Sequence, residues 1–307
     1  MTDAEINELA IKITNMSLTH NEDTYFEKAP TGVLFLWSGC CTAAIKDGCN
    51  WPGYPFPILL ENKEKCNLEI ANRILRMDKI YVIVGDTLDK PLAVPVSEDF
   101  AWFRIHLSEK NAEKDAADLK EMGIPCHVEE KTDVYRFLKK TFLKHGYDHV
   151  YAVNETGLSI IMPRLSFMGF GRTESKVSEN SSLVRAMTAF IQHAAAYGAA
   201  ETDDEEEYMA EIYKEAKNAV FAVPSKSGCE YDLACLDYST RVSGLKALPV
   251  FTSISEMFES YSIEEYYCLL LTSQQVLDVN PYPNLVIDPG GCGMMISCER
   301  FKEEMGK

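Results

Sequence analysis

Three cysteines are the candidates for reactive chemistry in this chain of 307 residues. Cys292 lies in a glycine-rich turn, where successive backbone N–H groups could form an anion-binding nest that lowers the pKa of a thiol. Cys40 and Cys41 are adjacent and lie in a segment rich in Cys, Gly and Pro. One hypothesis is therefore a thiol-dependent enzyme or a small-ligand-binding protein that uses Cys292 or the Cys40 and Cys41 pair. The sequence favours the other interpretation, in which these thiols pack as small side chains or belong to flexible turns.

Other motifs of catalysis and cofactor binding are missing from the sequence. Structural zinc sites use paired ligands separated by two to four residues, and Cys40, Cys41, Cys49 and Cys66 lack that spacing. The histidines form no HExxH pattern, and no GxSxG motif accompanies them. The glycines of residues 169–172 (GFGR) are not followed directly by a helix pattern, as a phosphate-binding loop requires. The sequence predicts no metal and no cofactor.

Two segments are candidates for binding a protein. Aromatic residues between 51 and 56 alternate with prolines, and rigid aromatic side chains dominate the energetics of protein interfaces. An acidic run at 203–207 follows Thr202 at a predicted helix start, where carboxylates also stabilise the helix dipole. The candidate interaction residues are Trp51, Tyr54, Phe56, Asp203, Asp204 and Glu205.

The charge of the chain excludes some partners. A formal net charge of −17 disfavours nucleic acid, because affinity for nucleic acid comes largely from Lys and Arg. It also disfavours anionic membranes, and it favours encounter with a basic protein. The acidic first residues do not fit a secretory signal, so we expect a cytoplasmic protein whose ten cysteines are reduced.

The order of predicted elements is similar in the two halves of the chain. A strand, a loop, a second strand, two capped helices and a closing hairpin are predicted between Lys79 and Pro163, and again between Asn218 and Cys298. Ser253 with Glu256, and Ser262 with Glu265, have the spacing of capping boxes at the two helix starts of the second half. A shared order at a roughly constant offset predicts duplication of one small module.

The region before the first module has weaker signals. The capping pattern of Thr2 and Glu5 predicts an amphipathic helix from about Asp3 to Met16. Gly32 to Trp37 (GVLFLW) and Pro57 to Leu60 are short apolar runs that predict buried strands, joined by a loop from Ser38 to Pro55. This pattern leaves open whether residues 1–75 are a degenerate third repeat.

The second half resembles a known family. The segment Ala247 to Ser253 (ALPVFTS), two following helices and the hairpin LVIDPGG resemble the amino-terminal domain of the SseB family, the bacterial enhanced-serine-sensitivity proteins. The resemblance covers about Asn180 to Cys298 well and Lys79 to Pro163 by order of elements. Asp288 occupies the place usually taken by Asn. These motifs are structural, so the resemblance implies a fold and transfers no catalytic residue.

Together these observations predict an α/β (α+β) fold of two related modules, each a mixed, mainly antiparallel sheet with packed helices. The predicted boundaries are 1–163 for an amino-terminal extension with the first SseB-like module, 164–180 for a linker and 181–307 for the second. The leading functional hypothesis is a non-enzymatic cytoplasmic protein that binds or regulates a protein partner through an acidic or aromatic surface.

Overall fold

The fold is taken from a computed structural model. It describes residues 23–46, 56–88, 90–92, 102–168, 180–197, 203–237 and 245–306. Helices pack on mixed sheets, which confirms the predicted α/β class. In the described chain, the parallel strand pairs are β3 with β5 and β9 with β11, and the other strand pairs are antiparallel.

The first half, up to residue 168, has three helices before its sheet. Its elements in chain order are α1 (Asp23–Lys28), α2 (Thr31–Lys46), α3 (Phe56–Leu75), β1 (Ile80–Gly85), β2 (Lys90–Pro91), β3 (Trp102–His106), α4 (Glu109–Glu121), β4 (Cys126–Lys131), α5 (Val134–Leu143), β5 (His149–Val153), β6 (Ser159–Pro163) and α6 (Leu165–Met168). β4 pairs with one side of β1, and β2 and β3 share the other side. β5 and β6 continue the sheet beyond β3.

The second half begins at residue 180. Its elements are α7 (Ser181–Tyr197), α8 (Asp203–Lys217), β7 (Val220–Ser225), β8 (Leu236–Asp237), β9 (Lys246–Val250), α9 (Ile254–Ser260), β10 (Tyr267–Thr272), α10 (Ser273–Val279), β11 (Asn284–Ile287), β12 (Met294–Ser297) and α11 (Cys298–Met305). β10 pairs with β7, and β7 meets the end of β9 through a bridge between Ala222 and Phe251. β11 and β12 follow beyond β9.

The two sheets therefore share an order of strand pairing, β4–β1–β3–β5–β6 in the first half and β10–β7–β9–β11–β12 in the second. They differ at the short strands, because β2 pairs with β1 whereas β8 pairs with β9. One face of the first sheet packs against α1, α2, α3 and α5, and α4 covers the other. In the second half α7, α8, α10 and α11 cover one face and α9 the other.

The predicted strands before β1 are wrong. Gly32 to Trp37 lies inside α2, which also includes the first part of the predicted loop from Ser38, and Pro57 to Leu60 lies inside α3. The buried residues of α2 recur at helical spacing, and that stripe continues past Gly39 to Cys41 and Ala44. The described part of this region is helical, so the strands on which a third repeat would rest are absent from it.

The predicted helix start at Ser262 is also wrong. Ser262 accepts a hydrogen bond from the Glu264 N–H in a turn, and strand β10 follows. The helix begins at Ser273, where Thr272 and Gln275 form a capping box. By contrast, Ser253 does cap α9 by accepting from the Glu256 N–H, which is one half of the predicted capping box; the Glu256 carboxylate lies 2.7 Å from the Lys144 Nζ. The closing hairpin of β11 and β12 has the predicted bounds.

Smaller differences concern element ends. The strand predicted at Cys126 to Val128 extends to Lys131, and α5 is capped by Asp133 rather than Thr132. The strand predicted at Leu92 to Val96 is found as Lys90–Pro91, and residues 93–96 lie outside the described residues. The predicted helix at Asp3 to Met16 also lies outside them.

Candidate binding surface and thiol sites

Cys40 and Cys41 lie on α2 rather than in a loop. Cys41 is buried against the amino-terminal core, and Cys40 is half-buried. Burial, assisted by the neighbouring Cys40, raises the pKa of the Cys41 thiol to about 12. Burial also raises the pKa of Cys40. Because the thiolate is the nucleophile, this environment favours a packing role for both residues.

Cys292 lies where the two halves of the chain meet. It belongs to the loop between β11 and β12, and only 9% of it is exposed. The Lys90 Nζ, on β2 of the first sheet, donates to the Cys292 Sγ at 3.2 Å. The Thr188 Oγ1 on α7 lies 4.0 Å from the same sulfur. Burial raises the pKa of this thiol, and the positive charge of Lys90 opposes that shift.

Other contacts between the two halves lie around the pair formed by Lys90 and Cys292. The Lys144 Nζ lies 2.7 Å from the Glu256 Oε1 and 3.3 Å from the Glu259 Oε1. The Pro91 carbonyl accepts a hydrogen bond from the Gln192 side chain of the second half at 3.3 Å, and it also accepts one within the first half from the Tyr147 hydroxyl at 2.7 Å. We call this set of contacts the junction; it consists of Lys90, Pro91, Lys144 to Tyr147, Thr188, Gln192, Glu256, Glu259 and Cys292.

The junction holds a histidine that is kept neutral. His145 is buried, and burial together with Lys90, Lys140 and Lys144 lowers its pKa to about 3. Its Nδ1 has no hydrogen-bond partner in the described structure. A general base must reach the proton it abstracts, and the described hydrogen-bond partners of the Cys292 sulfur are the Lys90 ammonium and the Thr188 hydroxyl. The arrangement fits a structural contact between halves better than a catalytic pair.

The loop after β11 also ties the second half together. Asp288, the first residue of this loop, is buried, and its carboxylate accepts from the Thr252 N–H at 2.8 Å and the Thr252 hydroxyl at 2.7 Å. It occupies the same position as Asn154 in the first half, whose side-chain oxygen accepts from the N–H groups of Thr156 and Leu158. The first residue after the strand, Asp288 in one half and Asn154 in the other, therefore holds a loop in place through its side-chain oxygens.

The sequence-predicted interaction residues are only partly described. Trp51 and Tyr54 lie outside the described residues, and α3 begins at Phe56, whose side chain also lies outside them. α8 begins at Asp203, and the side chains of Asp203 and Asp204 are not among those described. Glu205 is half-buried on the first turn of α8, whose apolar residues pack on the second core.

Comparisons with protein-family models, curated proteins and solved structures find no match for this chain. The resemblance to the SseB family therefore rests on the sequence motifs alone. Among the described helices, none is both long and apolar enough to cross a membrane.

A surface that sequence reasoning missed lies at the edge of the second sheet. Tyr231, Ile263, Tyr267 and Leu270 are 87%, 73%, 63% and 47% exposed. A side chain added at Gly228, three residues before Tyr231 in the turn after β7, would lie 3.4 Å from the Tyr267 ring, so this turn and β10 are neighbours. We call these four residues, with β10 and the exposed Glu264 and Glu265, the edge surface.

The edge surface has both exposed apolar side chains and acidic side chains, as predicted for a protein-binding surface, although different residues supply them. Its aromatic and aliphatic side chains are exposed, and two carboxylates lie in the turn before β10. The signal available in the sequence was YCLLLT, an uncharged run of strand length that ends at Thr272, the N-cap of the next helix. The pattern of Ser262 and Glu265 obscured it, because a capping box there predicts a helix through the same residues.

Proposed function

We propose that this chain is a non-enzymatic, SseB-like protein of two related units that binds a protein partner. The shared order of strand pairing supports the proposed duplication, with units at 1–163 and 181–307 joined by a linker at 164–180. We further propose a cytoplasmic location, in line with the composition.

The edge surface carries the proposal of protein binding. Tyr231, Ile263, Tyr267 and Leu270 are exposed on β10 or on the segments beside it, with Tyr267 and Leu270 on opposite faces of the strand. Large exposed apolar side chains grouped along one element mark interaction sites more often than single exposed residues do. Tyrosine is among the residue types that supply most of the binding energy at protein interfaces. The acidic charge of −17 favours a partner with a basic surface, because complementary charge speeds association and suppresses wrong partners.

The experiment is affinity purification of the tagged full-length chain from its own organism, beside the double variant Tyr231→Ser with Ile263→Ser. We expect a stoichiometric basic partner that the double variant no longer retains and that salt of about 0.5 M releases. The matched control is Met122→Ser, because Met122 is 64% exposed on the first half. The proposal is contradicted if no stoichiometric partner is found, or if the double variant and the Met122→Ser control recover equal amounts of it.

The contact of Lys90 with Cys292 is the observation that favours a thiol-dependent activity as the second candidate. A nearby ammonium group stabilises a thiolate, which is the reactive form. Burial acts in the opposite direction on Cys292 and is the larger influence on its pKa. The protein-binding function is therefore the better supported of the two.

A further inference from the structure

We propose that β10 binds an extended segment of a partner protein by strand addition, and that this segment is apolar in its centre with Lys or Arg at its ends. This inference rests on the proposed function and names the element and the kind of partner involved. In strand addition, main-chain hydrogen bonds give affinity, and side chains on alternate positions give specificity.

The backbone of β10 has hydrogen-bonding groups available for a partner. Ala222 on β7 donates to the Phe251 carbonyl and accepts from the Phe251 N–H, both at 2.9 Å. A strand residue directs both backbone groups to one side, so Leu270, opposite Ala222, directs its N–H and C=O away from β7. The same holds for Cys268, opposite Pro224, because the Pro224 carbonyl accepts from the Ala234 N–H. In the described chain, β10 pairs with no strand besides β7.

The equivalent edge of the first half is protected, and β10 is not. β4 carries Glu129, Glu130 and Lys131, and the Lys79 Nζ lies 2.7 Å from the Glu130 Oε2. Charged side chains on an edge strand prevent unwanted pairing with other chains. Glu129 lies opposite Val82, which faces the helices α1, α2, α3 and α5, whereas Leu270 lies opposite Ala222, which faces α9. β10 itself carries no charged residue, and its Leu270 is 47% exposed.

Charge favours a basic partner over a second copy of this chain. Glu264 and Glu265 are exposed in the turn before β10, separated from the strand by Tyr266, and the Glu259 side chain at the end of α9 is 66% exposed. Two copies that each carry a formal charge of −17 repel one another. A strand with Lys or Arg at its ends places positive charge beside these carboxylates and leaves the uncharged residues of β10 to pair with its apolar centre.

A synthetic peptide tests this inference on the full-length chain. The probe is Lys-Lys-Val-Thr-Val-Thr-Val-Thr-Lys-Lys, labelled for fluorescence anisotropy, and a control peptide has Glu in place of every Lys. We expect the Lys peptide to bind and to slow hydrogen exchange of the Cys268 and Leu270 amides. N-methylation of one alternate set of its residues should weaken binding at least about tenfold, since it removes the N–H groups that pair with β10, and methylation of the other set should not. Equal binding of both methylated peptides, or unchanged exchange of β10, would overturn strand addition.

Leu270→Glu separates strand addition from simple charge attraction. The variant places a charged side chain on the uncharged strand β10, so we expect at least about tenfold weaker peptide binding although the chain becomes more acidic. Ile161→Glu is the matched control, because Ile161 is 45% exposed on strand β6. A thermal melt followed by circular dichroism checks that both variants are folded. Binding that Leu270→Glu leaves unchanged or strengthens contradicts the proposal.

The outcome for the natural partner distinguishes this inference from the proposed function. A partner that requires Tyr231 and Ile263 but binds Leu270→Glu normally would overturn strand addition and leave protein binding intact. Sedimentation of the chain alone adds one further outcome. A dimer that Leu270→Glu dissociates would overturn the inference, because the edge would then belong to a second copy.

Discussion

At the scale of single residues, burial governs the Cys292 thiol. Because burial raises its pKa, we expect Cys292 to react with iodoacetamide at least about tenfold more slowly at pH 7.5 than Cys235, which is exposed. Peptide mass spectrometry over a time course measures both rates in one sample. Lys90→Met removes the charge that opposes the shift, so Cys292 should label more slowly still. Labelling of Cys292 faster than Cys235 would favour the thiol-dependent function instead.

Asp288 gives a second prediction at the residue scale, which concerns pH. Burial raises the pKa of its carboxyl group. The hydrogen bonds from Thr252 act to lower this pKa, and the negative charge of Glu256 acts to raise it. A carboxyl group whose folded-state pKa is raised stabilises the fold at low pH, and that contribution is lost as pH rises through the raised pKa. The residue also has a positive φ of 46°, which Asn tolerates well.

Asp288→Asn should therefore increase the free energy of unfolding by about 1 kcal/mol at pH 7.5. The gain should shrink as pH falls through the raised pKa of the wild-type carboxyl group, which then becomes protonated. Urea denaturation of both proteins at several pH values measures the difference. A loss of stability at pH 7.5, or a gain independent of pH, would contradict this account of the buried charge.

At the scale of elements, the helix after β10 begins at a capping box. Thr272→Ala removes the hydroxyl that accepts from the Gln275 N–H, so the free energy of unfolding should fall by about 1 kcal/mol. Thr272→Ser keeps a hydroxyl at this position, so it should retain most of this stability. Ser262→Ala is the informative control, because the sequence pattern placed a helix cap there and the structure has a turn. Equal losses at both positions would contradict the boundary at Ser273.

Elements were predictable where local chemistry and packing agree. The β11–β12 hairpin was predicted with its bounds because its glycine-rich turn interrupts two apolar runs. GVLFLW was ambiguous because a short apolar run fits a buried strand or a buried helix, and only the continuation to Cys41 and Ala44 shows the helical spacing. The contact of Lys90 with Cys292 joins residues 202 apart, so no local pattern could predict it.

At the scale of the whole molecule, the junction makes each half depend on the other. Polar contacts that are partly buried, such as Lys144 with Glu256, favour one arrangement of the halves, because a small shift that breaks the pair while both side chains stay partly buried leaves each charge without its partner. The edge surface belongs to the second half, and the Lys144 partners Glu256 and Glu259 lie on α9, which packs beside β10. A substitution that disrupts the junction should therefore also disturb the structure of the edge surface, through α9.

Gly146 is the position at which the junction can be tested. Its φ of +74° favours glycine, and a side chain there would lie 2.0 Å from the backbone oxygen of Ser181, the first residue of α7. Gly146→Ala must therefore displace the backbone at residue 146 or the start of α7, and we expect this shift to loosen the contact between the halves. We expect the free energy of unfolding to fall by about 3 kcal/mol or more, since both backbone strain and a clash with backbone contribute.

Gly157→Ala is the matched control for this prediction. Gly157 has a similar φ of +85°, but an added side chain would meet no atom within 4 Å. Its substitution should cost only about 1 kcal/mol, the strain of the left-handed backbone. Urea denaturation gives both values, and hydrogen exchange should show faster exchange in α7 and β10 for Gly146→Ala alone. Similar losses for the two variants, with no change in α7, would mean that the halves do not support one another through this contact.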